Sequence, residues 1–442
     1  MLKKLKTILV LSLPIAFARM LELGMGMVDT LMVGHVGTDA LASMGMALPF
    51  WFLFALFFAG CLQILTPLYS NTMVDDWNSS ENFLNSSTFL AWASSGLLVL
   101  FVFFSPVLFQ LLEQPLDLIP VARNYLLILA FAAPAFFINQ NLRQLFEIYQ
   151  KPMFSFWITL ITFFLNFLGN YCFIYGKFGC PAWGVEGSAV STALCWWIST
   201  ALHLFFLKQL PLPSHLPTFF FDSKKLHRSF LNSFIQKGVP LGVSHAAEIS
   251  FFVISAWLVG QFGKVALASH QIAINLAACT FMFAVGTAQA TSVLISQVRG
   301  SGTYKQAKIY WFATSGLLTI TCVMGVFSLF FILFPTFWVS IYTHDVAILE
   351  LAPSFVMLAG IFQVFDGLQS VGLGILRGIH QTNLAMKYTL VAYWGVGMPL
   401  GLLLGKVLWR EPQGYWVGFI AGLAVAAALH FWGFKKKLHW VN

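Results

Sequence analysis

Four acidic residues, Glu22, Asp29, Glu248 and Asp366, lie within apolar stretches long enough to cross a bilayer. A charge at the centre of a membrane helix costs roughly 2.5–3.5 kcal/mol on insertion scales. Carboxylates kept there need a role: holding a cation, carrying a proton, or pairing with a nearby base.

Spacing sorts the four. Glu22 follows Arg19 by three residues, on the same helical face, where a salt bridge closes easily, so Glu22 reads as structural. Glu248 follows His245 by three, and histidine can be neutral, so Glu248 reads as a titrating or cation-binding group. Asp29 lies two turns beyond Glu22 with no base at helical spacing. Its possible partners are Asn166 and Asn170, one turn apart on a later helix. Such a carboxylate can stay protonated, share hydrogen bonds with amides, or bind a cation. Asp366 sits in Gln363-Val364-Phe365-Asp366-Gly367, and Gly367, Gly372 and Gly374 allow close helix approach or bending, so it reads as an ion ligand. Arg143 and Glu147 form an i, i+4 pair of structural character. His270-Gln271 and Asn275 either line an entrance or cap a helix, and both readings stand.

Catalytic patterns are absent: there is no GxSxG, HExxH or GxxxxGK[ST]. His245 with Glu248 is the nearest thing to a catalytic pair and lacks a nucleophile or second histidine. With no phosphate loop to hydrolyse ATP, any uphill transport would have to draw on an ion gradient. The six cysteines are scattered without a CxxC pair, which fits small buried hydrophobes better than disulfides or metal ligands.

The elements that carry these residues follow from composition. Of 442 residues, 59% are hydrophobic and 9% charged, against about 25% charged in a soluble domain. The fold class expected is all-α integral membrane, with spans near 8–32, 47–71, 87–112, 121–149, 153–176, 186–208, 234–259, 272–297, 308–333, 347–376, 385–405 and 413–433. The first apolar stretch runs past Arg19 and Glu22 without a small-residue cleavage site, so it reads as a retained membrane helix. Placing the N-terminus and every second loop in the cytoplasm leaves only Arg123, Lys177, Lys264, Lys406 and Arg410 on the other side, with Arg19 inside the first helix. The positive-inside rule then puts both termini in the cytoplasm. The net charge of +8 is spread over short flanks of spans, so it implies no nucleic-acid partner.

The chain repeats itself at a shift of 226 residues. Pro14 falls on Pro240, Glu22 on Glu248, Gly34 on Gly260, Gly37 on Gly263, and Ala40-Leu41-Ala42-Ser43 on Ala266-Leu267-Ala268-Ser269. Gly60, Gln63 and Ser70 recur as Gly286, Gln289 and Ser296. Six spans separate the copies, so both enter the membrane in the same direction, as in parallel-repeat transporters. The expected division is a six-helix bundle over 1–208, a cytoplasmic linker over 209–233, and a second bundle over 234–442.

Motifs in these stretches are similar to those of the multidrug and toxic compound extrusion (MATE) family. Gly26-Met27-Val28-Asp29-Thr30-Leu31-Met32-Val33-Gly34 resembles its first-helix signature, and Asn170-Tyr171 with Phe173 to Gly179 the end of its fifth helix. Ala268-Ser269-His270-Gln271-Ile272-Ala273 and Phe365-Asp366-Gly367-Leu368-Gln369 with Leu376-Arg377-Gly378 resemble its later helices. Glutamate at 248 with aspartate at 366 resembles the NorM-type branch. The resemblance implies export of small organic cations in exchange for Na⁺ or H⁺, without a cofactor. It implies Glu248 and Asp366 as the cation (Na⁺) site and Asp29 as a proton or ion site; from their own positions, Asn166, Asn170, His245, Gln271, Glu22 and Arg19 are the candidates for a supporting role. One departure stands out: the branch usually has an uncharged residue, often Gln, where this chain has Glu22 beside Arg19. The expected setting is a bacterial inner membrane, with the chain monomeric in lipid. The alternative, a flippase for lipid-linked saccharide precursors, would want more cations than Arg19 near the centre.

Overall fold

The computed structural model describes residues 2–72, 77–212, 219–226, 228–300 and 306–438. Among the described residues the regular structure is entirely helical. The first part of the chain forms α1 (Leu2–Gly34), α2 (Thr38–Leu62), α3 (Leu65–Thr72), α4 (Trp77–Leu111), α5 (Ile119–Phe131), α6 (Ala133–Ile148), α7 (Pro152–Tyr175) and α8 (Val185–Phe206). The rest forms α9 (Arg228–Gly260), α10 (Lys264–Gly300), α11 (Gln306–Leu333), α12 (Pro335–Ser340), α13 (Val346–Gly378), α14 (Thr382–Leu390), α15 (Met398–Leu402) and α16 (Gln413–Leu438). Among the described residues, eleven helical stretches are long and apolar enough to span a membrane, and the bent pair α5–α6 makes up to twelve.

The structure departs from the sequence expectation at the second, third and eighth spans, which begin at Thr38, Trp77 and Lys264 rather than near 47, 87 and 272. After α1 and α9 end at Gly34 and Gly260, Gly37 (φ 157°) and Gly263 (φ 106°) turn the chain in a backbone region that suits glycine. The polar residues that follow then become the first turns of the next helix. His270, Gln271 and Asn275 therefore lie within α10. The fourth span is broken by 47° between α5 and α6, where Pro134 removes a backbone donor at the start of α6.

Two compact units emerge from the contacts: Ala18–Gly242, and Met1–Phe17 together with Val243–Asn442. The cuts fall inside α1 and α9, whereas the sequence places the division at the 209–233 linker. Each cut comes within three residues of a proline inside the helix, Pro14 or its repeat partner Pro240. Such a proline weakens the ladder of its own helix and lets the two segments take different directions. The first stretch of α1 packs into the Val243–Asn442 core: Ile8 and Leu11 join Ala284, Val293 and Leu294, and Phe17 meets Phe283 edge-on at 5.8 Å. The first stretch of α9 packs in the other unit, with Gly238 and Gly242 against Cys61.

Lipid tails are as apolar as leucine, so helices in a bilayer are held by close packing rather than by water exclusion. Gly374 on α13 shows how close: a Cβ there would sit 2.5 Å from the Ala288 carbonyl oxygen on α10. Gly418 on α16 is similar, its added Cβ falling 2.6 Å from the Gly397 oxygen. Between α14 and α16 the chain winds into two π-helical stretches, Val391–Gly397 and Leu403–Leu408, and Gly397, Gly401 and Gly405 face α16 there. In the first unit, the described end of the linker lies along α4. The Asn85 side chain bonds both the N–H and the carbonyl of Asp222 (2.7 and 2.9 Å), Lys225 meets Glu81 at 2.7 Å, and the Trp92 indole donates to the Phe219 carbonyl.

Candidate functional site

In the Ala18–Gly242 unit, α1, α7 and α8 converge on Asp29. Asn170 donates to its Oδ1 at 2.5 Å and Thr192 to its Oδ2 at 2.7 Å. Asn166, one turn before Asn170, donates to the Thr192 hydroxyl at 3.3 Å and accepts from Asn170 at 3.4 Å. The carboxylate is 4% exposed, so both of its oxygens rely on these neutral donors. The Asn166–Asn170 partnership is the one expected from spacing. Thr192 was not, because nothing in the sequence of α8 marks which of its hydroxyls faces α1.

Glu22, on the same helix, has a different setting. Arg19 donates to its Oε2 at 2.9 Å, and Arg143 from α6 reaches its Oε1. Arg19 also reaches Gln140 at 3.4 Å, and Arg143 donates to Thr159 at 2.7 Å. The expected Arg19–Glu22 pair is thus one edge of a wider network. Arg143, read as a partner for Glu147 one turn along, spends a guanidinium arm on Glu22. With a cation on each oxygen, Glu22 is poorly placed to take a third.

In the other unit, α9 and α13 bring Glu248 and Asp366 to one amide. The Gln369 Nε2 lies 3.3 Å from Glu248 Oε1 and 3.2 Å from Asp366 Oδ1. Asp366 and Gln369 are 5% and 3% exposed. His245 Nδ1 stands 3.9 Å from Glu248 Oε2, beyond a good hydrogen bond. The frame around the pair is polar and fixed. His430 on α16 contacts the Gln369 carbonyl at 3.1 Å, and Thr280 on α10 donates to Gln363 at 2.7 Å. Arg377 reaches Gln289 at 2.7 Å and Ser292 at 3.1 Å. Gln271 bonds Asn275 along α10 and is exposed, away from these contacts.

The two carboxylates offer oxygen ligands, the donor type that hard cations prefer, and Gln369 turns its Nε2 toward both of them. Among the described residues no group of three or more His, Cys, Asp or Glu converges as a metal centre. Glu248 and Asp366 were legible as intramembrane charges; Gln369 was visible only as part of a motif. A signal existed: it lies three residues after Asp366, hence on the same helical face.

The chain matches the MatE family over residues 14–172 and 240–403. It is 30% identical over 437 residues to the multidrug resistance protein NorM of Aliivibrio fischeri, covering 97% of this chain and 93% of the relative. It is 28% identical over 446 residues to that of Vibrio cholerae, covering 100% and 96%. Among solved structures it is similar to a eukaryotic MATE transporter, AtDTX14 (TM-score 0.85, 16% identity, 99% and 98% covered). It also resembles a MATE in the straight conformation (TM-score 0.87, 16% identity, 99% and 96% covered).

Proposed function

The chain belongs to the multidrug and toxic compound extrusion family, and on that premise we propose that it exports lipophilic organic cations in exchange for Na⁺ or H⁺. Its relatives are multidrug resistance proteins of the NorM type, and the chain is a multidrug efflux transporter rather than an enzyme. The observation that carries the finer reading is the convergence of Glu248 and Asp366 on one amide inside a membrane bundle.

A buried, ionised carboxylate is costly to carry through a dehydrated intermediate. Na⁺, H⁺ or a cationic substrate lowers that cost by neutralising it. If the coupling ion and the drug exclude one another at Glu248 and Asp366, each release sets up the next binding, and exchange follows. The membrane potential supplies about 2.3 kcal/mol per charge per 100 mV, and the ion gradient adds to it. Asp29, with Asn166, Asn170 and Thr192, serves as a second proton or ion site; Arg19, Glu22 and His245 tune the two sites. Phe252, one turn beyond Glu248, meets Phe362 and Phe419 edge-on at 5.9 and 5.4 Å. Phe362 and Phe419 are buried, and the half-buried Phe252 they support suits flat cations of varied shape through cation–π contact. The two repeats supply the halves of an alternating-access carrier with both termini cytoplasmic, working as a monomer in the bacterial inner membrane.

The test is ethidium efflux from proteoliposomes with a Na⁺ or a pH gradient imposed separately. One gradient drives efflux by the unaltered protein, and Glu248→Gln and Asp366→Asn each cut it at least tenfold. Intact ion-driven efflux in both variants would sink the reading.

A further inference from the structure

The Gln369 side chain occupies the place where a cation bridging two carboxylates would sit. Its Nε2 carries two N–H groups, and it stands 3.3 Å from Glu248 Oε1 and 3.2 Å from Asp366 Oδ1. With both carboxylates ionised, only the N–H side of the amide is attractive to them. One planar group thus makes to two anions the contacts that a small cation would make.

The backbone under it is held. His430 contacts the Gln369 carbonyl, and a Cβ on Gly372 would lie 2.7 Å from the His430 Cβ. Added Cβ atoms on Gly367 and Gly374 would crowd Met324 at 2.8 Å and the Ala288 oxygen at 2.5 Å. Helix α13 is therefore clamped by α10, α11 and α16 on either side of Gln369. The side chain, by contrast, has three rotatable carbon–carbon bonds between a fixed Cα and its amide.

We propose that Gln369 is an internal stand-in for the coupling cation: its amide satisfies Glu248 and Asp366 when the cation has left, and a bridging cation displaces it. This rests on the antiport reading of the site. Ordinary hydrogen bonds to charged groups are worth more than neutral ones, so an amide bonded to both carboxylates steadies the empty site and competes with the ion. The competition weakens ion binding and speeds ion release. Gln369 is then a positioning residue that keeps the site from holding its ion too tightly.

The expectation runs opposite to that for a ligand. Gln369→Met keeps length and flexibility but removes both N–H donors. In proteoliposomes, with ethidium as substrate and Na⁺ or H⁺ titrated in separate series, it lowers the half-saturating concentration of the driving cation about tenfold. The maximal rate falls as well, because ion release becomes slow. Gln369→Asn, whose shorter amide can serve one carboxylate at a time, lies between. A half-saturating concentration that rises would show Gln369 to be a ligand, and one that stays put would show it to be only structural; either overturns the proposal. Glu248→Gln and Asp366→Asn run alongside separate the two failures. If those variants keep ion-driven efflux, the antiport reading falls. If they lose it while Gln369→Met leaves half-saturation unchanged, this inference falls alone.

Discussion

A carboxylate in a membrane bundle takes its character from what its two oxygens touch. Glu22 touches two guanidinium groups, Asp29 an amide and a hydroxyl, and Glu248 and Asp366 the same amide. The first arrangement balances the carboxylate's charge; the others meet it with neutral donors only, leaving a charge that an incoming cation or proton can neutralise. Arg143→Met should therefore strip Glu22 of its cross-helix partner and destabilise the protein by about 2 kcal/mol, below the 3–5 of a fully dry pair. The cost is reduced because Glu22 is 28% exposed. A lower thermal midpoint in detergent, recovered in part by adding Glu22→Gln, is the measurement. At Asp29 the hydroxyl of Thr192 is the contact to probe. Thr192→Val should shift the half-saturating coupling cation several-fold while Thr192→Ser leaves it near its starting value.

Helices reach these positions because small residues let them approach. On α13, Gly374 and Gly372 press against α10 and α16, and any larger side chain must push a backbone oxygen or His430 aside. Gly374→Val is expected to cost at least the 1–3 kcal/mol typical of overpacking, seen as lost folded yield and a lower melting midpoint by size-exclusion fluorescence. Gly96 on α4 has nothing within 4 Å of an added Cβ. Gly96→Ala should leave both readouts in place, which separates packing from a general dislike of substitution. The paired prolines act at the same level. Pro14 and Pro240 sit beside the points where α1 and α9 pass from one compact unit to the other.

In the topology proposed above, the bent pair α5–α6 counts as one span, so six spans separate the repeats and both copies run in the same sense. Phe178, after α7, and Phe220, after α8, are 79% and 72% exposed and follow opposite ends of consecutive spans. In a cysteine-free background, Phe220→Cys should label from the cytoplasmic face and Phe178→Cys from the outer one. Labelling of both from one side would break the proposed topology.

The spans, their repeat and the four intramembrane carboxylates were legible without coordinates, because apolar length and misplaced charge are properties of the chain itself. Spacing along one helix also paired Arg19 with Glu22 and Asn166 with Asn170. Three things were not legible, and each depends on contact between residues distant in sequence. Arg143 reaches Glu22 across 121 positions, Thr192 reaches Asp29 across 163, and Gln369 reaches Glu248 across 121. Helical periodicity says which residues share a face, but not which helix that face will meet. The beginnings of α2 and α10 were also missed, since a hydropathy window discounts polar first turns that a glycine turn nonetheless feeds into helix. The place of the charges was written in the chain; the company they keep came from packing between helices.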